Sequence, residues 1–158
     1  MNPKRLSFRA LTGCLFILLG LTSCAKSTKQ DENLAAQRAI EFAQIVLVNK
    51  DFDQGYGLLS DGGKRHISLA TFKETMRRLH PGGFPTSVTA KEYQPMPGEN
   101  ALWIYLDGRN PEVHYRLTME ATASGDYKVL TLDNGVVGRM FSSGSDKKQF
   151  SKVITTHP

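Results

Sequence analysis

The run His80-Pro81-Gly82-Gly83-Phe84-Pro85 divides the chain into two parts whose apolar residues repeat with different periods. Each proline removes a backbone donor, fixes its own φ and disfavours helix at the residue before it, and the glycine pair adds a break, so no regular element runs through this stretch. Ahead of it apolar residues return every three or four positions, as on amphipathic helices; behind it they alternate, as on half-buried strands. Helices first and strands second make an α+β domain, with the helices covering one face of a sheet.

Three helices are predicted ahead of the break. From Asp31 to Asn49, Leu34, Ala35, Phe42, Ile45, Val46 and Val48 return to one broad face, Asp31 has the chemistry of an N-cap, and Lys50 places positive charge at the C-terminal end. Asp51 to Ser60 reads as a turn and a short helix held by Phe52, Tyr56 and Leu59, after which Asp61-Gly62-Gly63 is expected to break the chain. Ser68 caps a third helix through Leu79, with Leu69, Phe72, Met76 and Leu79 spaced by three and four.

Behind the break, Ser87 to Tyr93, Ala101 to Asp107, Val113 to Ala121 and Tyr127 to Leu132 read as four strands. The short connections between them, such as Pro95-Met96-Pro97-Gly98 and Ser124-Gly125-Asp126, imply an antiparallel meander. Beyond Val137, residues 138–158 are dominated by small and charged side chains and are expected to form a flexible tail.

The run from Phe42 to Ser60, a long helix, an acidic turn and then Tyr56-Gly57-Leu58-Leu59-Ser60, resembles the opening of the small NTF2-like (cystatin-like) cone domains carried by many bacterial lipoproteins. Phe72 matches the buried Phe of that family's third helix, whereas Asn49-Lys50-Asp51-Phe52 departs from its usual Gly-Asp turn. The resemblance implies a cone over residues 31–137, with three N-terminal helices packed on a curved four-stranded antiparallel sheet. Cones of this kind include isomerases and dehydratases as well as proteins that only bind or scaffold, so the fold does not choose a function.

The first residues carry a different signal. Lys4, Arg5 and Arg9 precede an apolar core from Ala10 to Gly20, which is shorter than the roughly 20 residues needed to span a bilayer and has the layout of an export signal. Leu21-Thr22-Ser23-Cys24 follows it directly and resembles a bacterial lipobox. Leu11-Thr12-Gly13-Cys14 fits the same short pattern but has too few apolar residues before it. The resemblance implies cleavage after Ser23 and lipidation of Cys24, which would put residues 1–23 in a signal peptide and residues 24–30 in a short polar tether. It also implies an outer-membrane destination facing the periplasm, since Ala25 stands where an inner-membrane lipoprotein tends to carry Asp. The competing reading is a plain secretory signal with Cys24 as a spare thiol.

Loss of Lys4, Arg5 and Arg9, with no acidic residue before Cys24, lowers the formal net charge of +5 to about +2, which gives a nucleic-acid role little support. With Cys14 removed and Cys24 acylated, no thiol remains for a disulfide or a thiolate metal site. About 135 residues then remain, enough for one packed core. No HExxH, no cysteine ligand set, no convincing His/carboxylate pair and no phosphate-cradling glycine pattern occurs, so neither a metal nor a cofactor is expected.

Alternation along the second and third strands sends Leu102, Ile104, Leu106, Val113, Tyr115, Leu117 and Met119 toward the helices. The opposite face then carries Trp103, Tyr105, His114 and Arg116. Trp, Tyr and Arg are enriched in interface hot spots, so this face is a candidate surface for a protein partner or a second copy, with cross-strand packing as the plainer explanation. His66, His80 and His114 stand apart from any motif. A catalytic reading would pair His114 with Glu120 or Asp107, which face away from the cone interior, and no catalytic residue is assigned. The sequence thus points to a lipid-anchored, non-catalytic binding or assembly module, with a small enzyme or ligand carrier using the cone cavity as the alternative.

Overall fold

A computed structural model describes residues 30–135 and 146–156, which places the signal segment, Cys24, the tether before Gln30 and the first part of the expected tail outside the described residues. The order is α1 (Glu32–Ala43), a π-helical turn (Gln44–Val48), α2 (Phe52–Gly57), α3 (Asp61–His66) and α4 (Leu69–Leu79), then β1 (Ser87–Pro95), β2 (Ala101–Arg109), β3 (Val113–Ala121), β4 (Tyr127–Gly135) and β5 (Lys148–Thr155). The domain is α+β, with four short helices and a five-stranded antiparallel sheet ordered β4-β3-β2-β1-β5.

α1 lies closely on the sheet because its inward face is built from small residues. Ala35, Ala36, Ala39 and Ala43 are all fully buried, and Phe42 fills the space beside them. Asp31 caps the helix, its carboxylate accepting from the Leu34 N–H at 3.0 Å. The helix does not continue to Asn49 as an α-helix. Ile45, Val46 and Leu47 are consecutive and all buried, which a 3.6-residue turn does not bring onto one face, and the wider turn closes with the Asn49 N–H on the Gln44 carbonyl at 2.9 Å. Lys50 then takes φ +60°, the left-handed conformation that ends a helix.

Asp61-Gly62-Gly63 is the first correction to the sequence reading: it opens α3 instead of breaking the chain. Ser60 caps α3 through the Gly63 N–H (3.1 Å), and the Ser60 N–H donates to the Val129 carbonyl (2.8 Å). A Cβ on Gly63 would stand 2.9 Å from the Leu130 carbonyl oxygen, so the glycine lets α3 close over the edge of β4. Leu59 makes a short parallel bridge to Val129 on that same edge.

The tail is the second correction, and with it the strand count. Lys148–Thr155 forms β5 on the free edge of β1, so this part of residues 138–158 is ordered against the sheet. Its register jumps from Glu92↔Gln149 to Ala90↔Ile154, leaving Phe150 to Val153 outside regular pairing. Phe150 still packs on Tyr93, with ring centroids 4.9 Å apart, while Val153 is 77% exposed. The Val88 N–H donates to the buried Thr156 hydroxyl at 2.9 Å, which fixes the end of the strand.

Between the layers the interior is filled by side chains. Leu102, Ile104, Leu106, Tyr115, Leu117 and Met119 from the sheet meet Phe42, Val46, Leu47, Phe72 and Met76 from the helical layer in one apolar cluster. Those sheet residues are the ones that alternation assigns to the inner face, and the assignment holds.

Candidate functional site

The outer face of the sheet is built by pairs directly opposite one another: Trp103↔Thr118, Tyr105↔Arg116 and Asp107↔His114 between β2 and β3. All four residues proposed for an interface, Trp103, Tyr105, His114 and Arg116, therefore lie on one face, but they are not equally open. Tyr105 is only 8% exposed. Its hydroxyl donates to Gln94 Oε1 at 3.0 Å, and Lys147 Nζ sits 4.1 Å from its ring centroid. Burial, and secondarily the nearby Glu92, push the Tyr105 hydroxyl above its ordinary value against an opposing effect of Arg116.

Arg116 is held in place by its neighbours. Its Nη2 donates to Asp133 Oδ2 at 2.8 Å, and the guanidinium lies 5.2 Å from the Trp103 ring centroid. Trp103, Arg116 and Asp133 thus form an aromatic, cationic and anionic stack across three strands. Beside it the Thr131 hydroxyl donates to the Thr118 hydroxyl at 2.9 Å. The plainer explanation, cross-strand packing, accounts for these contacts.

At the other end of the face, His114 Nδ1–H donates to Asp107 Oδ1 at 2.8 Å while Lys91 Nζ reaches Asp107 Oδ2 at 3.1 Å. Burial raises the Asp107 carboxyl, but the hydrogen bonds and charges of His114 and Lys91 outweigh it and hold the group below its usual value. A catalytic His114 needs a carboxylate within reach and an enclosing pocket. Asp107 supplies the first, but the His114 side chain is 44% exposed on the outer face of the sheet, away from the helix-covered interior. Glu120, the other partner considered, lies on β3 opposite Ala101, six residues from His114.

The inner face holds another of the histidines that stand apart from any motif. His80 is 6% exposed, with Nδ1 2.6 Å from the Met76 carbonyl and Nε2 2.8 Å from the hydroxyl of fully buried Tyr115. A carbonyl only accepts, so Nδ1 carries the proton of the neutral ring, Nε2 is the acceptor, and Tyr115 donates. Burial lowers the His80 pKa, partly opposed by the bond to Met76, and burial raises that of Tyr115. Each group is favoured in its neutral form, and apolar neighbours pack the pair on both sides, including the Phe84 ring stacked 4.2 Å from His80. The pair is a satisfied polar link in the core.

A cleft of about 150 Å³ lies between α1 and the start of β4, lined by Arg38, Glu41, Met119, Asp126 and Lys128 among others. Arg38 already bonds Asp126 Oδ1 and Glu41 Oε2, both at 2.8 Å, so its guanidinium closes the cleft rather than opening toward a ligand. Among the described residues no group of three or more His, Cys, Asp or Glu side chains could hold a metal ion. No helix among them is long and apolar enough to cross a membrane.

Comparison with known proteins finds no matching family model, no matching curated protein and no matching solved structure.

Proposed function

We propose that this protein is a lipid-anchored module of the bacterial envelope, acylated at Cys24 and built on an NTF2-like cone, that binds or assembles with a partner protein and carries out no chemistry. The observation that carries this reading is how few residues separate Cys24 from side chains and backbone bonded to the sheet. Gln30 donates through Nε2 to the carbonyls of Glu99 and Ala101 (3.1 Å each), and the Asp31 N–H donates to the Tyr127 hydroxyl (3.0 Å). Five residues separate Gln30 from Cys24, the cysteine of the lipobox-like Leu21-Thr22-Ser23-Cys24. Even fully extended, that stretch spans only about 20 Å. A lipid on Cys24 would therefore hold the domain by one defined end, close to the bilayer.

Two further observations support the rest. The extra residues Lys91 in β1 and Leu130 in β4, where the pairing register shifts, are the kind of bulge that bends a sheet around covering helices. The inner-face residues Leu102, Ile104, Leu106, Leu117 and Met119 are buried in one apolar cluster with the helices, which favours binding over catalysis.

Replacing Cys24→Ser and fractionating cells tests the anchor, since the protein should leave the membrane fraction. An undiminished membrane fraction would overturn the reading at its first step. The outer face is tested by Trp103→Ala, which leaves the buried Tyr105 in place. Sedimentation of the full chain in detergent should show a smaller assembly if this face joins copies, and an already monomeric parent removes self-association through it.

A further inference from the structure

The end of the domain opposite Gln30 carries a cationic surface on an aromatic platform. Phe84 stacks on His80 with centroids 4.2 Å apart, Phe52 packs against Phe84 at 5.9 Å, Lys50 Nζ lies 5.8 Å from the Phe84 centroid, and the Arg77 guanidinium lies 5.5 Å from that of Phe52. Arg78 is exposed beside Arg77 in the last turn of α4. Among the described residues, no carboxylate comes within salt-bridge distance of Lys50, Arg77 or Arg78. The platform is rigid because His80 is bonded on both nitrogens inside the core.

Lys50 is the informative member. At φ +60° its backbone occupies the left-handed region, where glycine is at ease and a side chain adds strain. A helix end of this kind commonly carries Gly, yet here a lysine stands on the platform rim. Helix dipoles alone give Arg77 and Arg78 a local reason to sit at the end of α4. The dipole of the preceding helical segment also favours a cation at Lys50, but there the lysine holds a left-handed backbone that glycine would adopt without strain.

We infer that Lys50 and Arg77 on the Phe52–Phe84 platform, with Arg78 exposed next to Arg77 in sequence, dock an acidic segment of a partner protein. The inference rests on the binding-module reading and deepens it by naming the surface and the partner's chemistry. Asp53 is paired with Lys73 at 2.7 Å, but Asp51 is exposed beside Lys50 and would repel a uniform polyanion, whereas a polypeptide can space its carboxylates to avoid it. Phe52 is 9% exposed and offers no open face for a base to stack on, which disfavours a nucleic acid. A bilayer holding Cys24 would lie at the other end: Asn134, which donates to the Leu79 carbonyl, is seven residues along β4 from Tyr127, or about 23 Å.

The test uses the full-length chain in detergent and a short fluorescent peptide alternating Glu and Ser, read by anisotropy. Lys50→Gln and Arg77→Gln should each weaken binding about fivefold, the scale of one lost charge pair. Lys50→Gly should weaken binding equally while raising Tm by about 3 °C as the backbone strain is relieved. Failure of the peptide to bind, or unchanged affinity in Lys50→Gln and Arg77→Gln, overturns the inference. So does a fall in Tm for Lys50→Gly, which would make the lysine a stabilising contact. Tighter binding of heparin or of phosphatidylglycerol vesicles through the same cations would replace the acidic polypeptide with another polyanion and overturn the assignment. If the peptide fails while Cys24→Ser still releases the protein from membranes, the docking surface is wrong and the anchored module stands.

Discussion

Replacing Tyr115→Phe removes one hydroxyl from the core and leaves its ring in place. Tyr115 is fully buried and donates to His80 Nε2 at 2.8 Å, and His80 is 6% exposed, so in the variant Nε2 becomes a buried acceptor with no donor. Leaving one partner of a buried hydrogen bond unsatisfied costs about 1–3 kcal/mol, and since ring packing is unchanged, about 2 kcal/mol is expected here. Chemical denaturation of the full chain should show this as a lower midpoint with an unchanged m-value, and a thermal scan as a Tm lower by about 4–8 °C. The double variant His80→Phe/Tyr115→Phe removes donor and acceptor together and should lose less than the two single losses combined. A Tyr115→Phe loss below about 0.5 kcal/mol, or strict additivity in the double variant, would refute the description of this pair as a coupled link. The same pair sets a pH response. Burial depresses the folded pKa of His80 below the 6.5 of the unfolded chain. Protons are therefore bound more tightly after unfolding, so stability is full at neutral pH and falls as the pH drops through about 6.5 toward the folded value. His80→Phe should flatten that part of the stability profile, above the acid range in which carboxylates titrate.

Gly63→Ala should destabilise by about 2 kcal/mol, because the new methyl meets backbone, the Leu130 carbonyl oxygen at 2.9 Å. Gly62→Ala meets the movable Leu130 side chain at 2.8 Å and should cost clearly less, so equal losses in denaturation midpoint would count against backbone contact as the cause. Ending the chain after residue 145 removes β5 and the Thr156 hydroxyl bonded to the Val88 N–H, which should expose the β1 edge and raise aggregation as read by light scattering. Asp126→Asn should change stability by no more than about 1 kcal/mol and less in high salt, because its bond to Arg38 lies near the surface with both side chains 42% exposed.

Local chemistry carried much of this fold. Ser68 caps α4 through the Thr71 N–H, Asp31 caps α1, and the prolines and glycines between Leu79 and Ser87 end the helical layer where the strands begin. Alternation sorted the residues of β2 and β3 between the two faces because a strand's period of two leaves little choice once one face is buried. What escaped depended on contacts distant in sequence. Gly62 and Gly63 read as a break until β4 is laid against them, since the same residues that weaken a helix permit close approach. β5 carries Lys148, Gln149, Ser151 and Lys152, which suit an edge strand but read as a polar tail, and its pairing with β1 spans more than fifty residues. The His80–Tyr115 bond joins residues 35 apart, so a lone histidine gave no sign of its partner. At the cationic end, position 50 adopts the left-handed conformation that glycine favours, and a lysine in the sequence gives no local sign of it.

Both free edges of the sheet are occupied, by different means, and this bears on how a partner could approach. Leu59, Ser60 and α3 lie on β4, and β5 covers β1 while breaking its own pairing through Phe150 to Val153, with Lys148 and Lys152 on the strand. Irregular pairing and edge lysines both oppose the addition of another strand. Strand exchange between copies is therefore disfavoured, and the outer face and the Lys50 end differ in what association there would cost. The outer face has its cations committed, Arg116 to Asp133 and Trp103, and Lys91 to Asp107. Displacing those contacts would cost a partner part of what it gained. At the Lys50 end the cations are exposed and the rings beneath them are already packed, so an acidic segment need not break an existing pair to bind. Desolvation and ordering of side chains limit any interface, and a surface with its aromatic support already ordered loses less on binding.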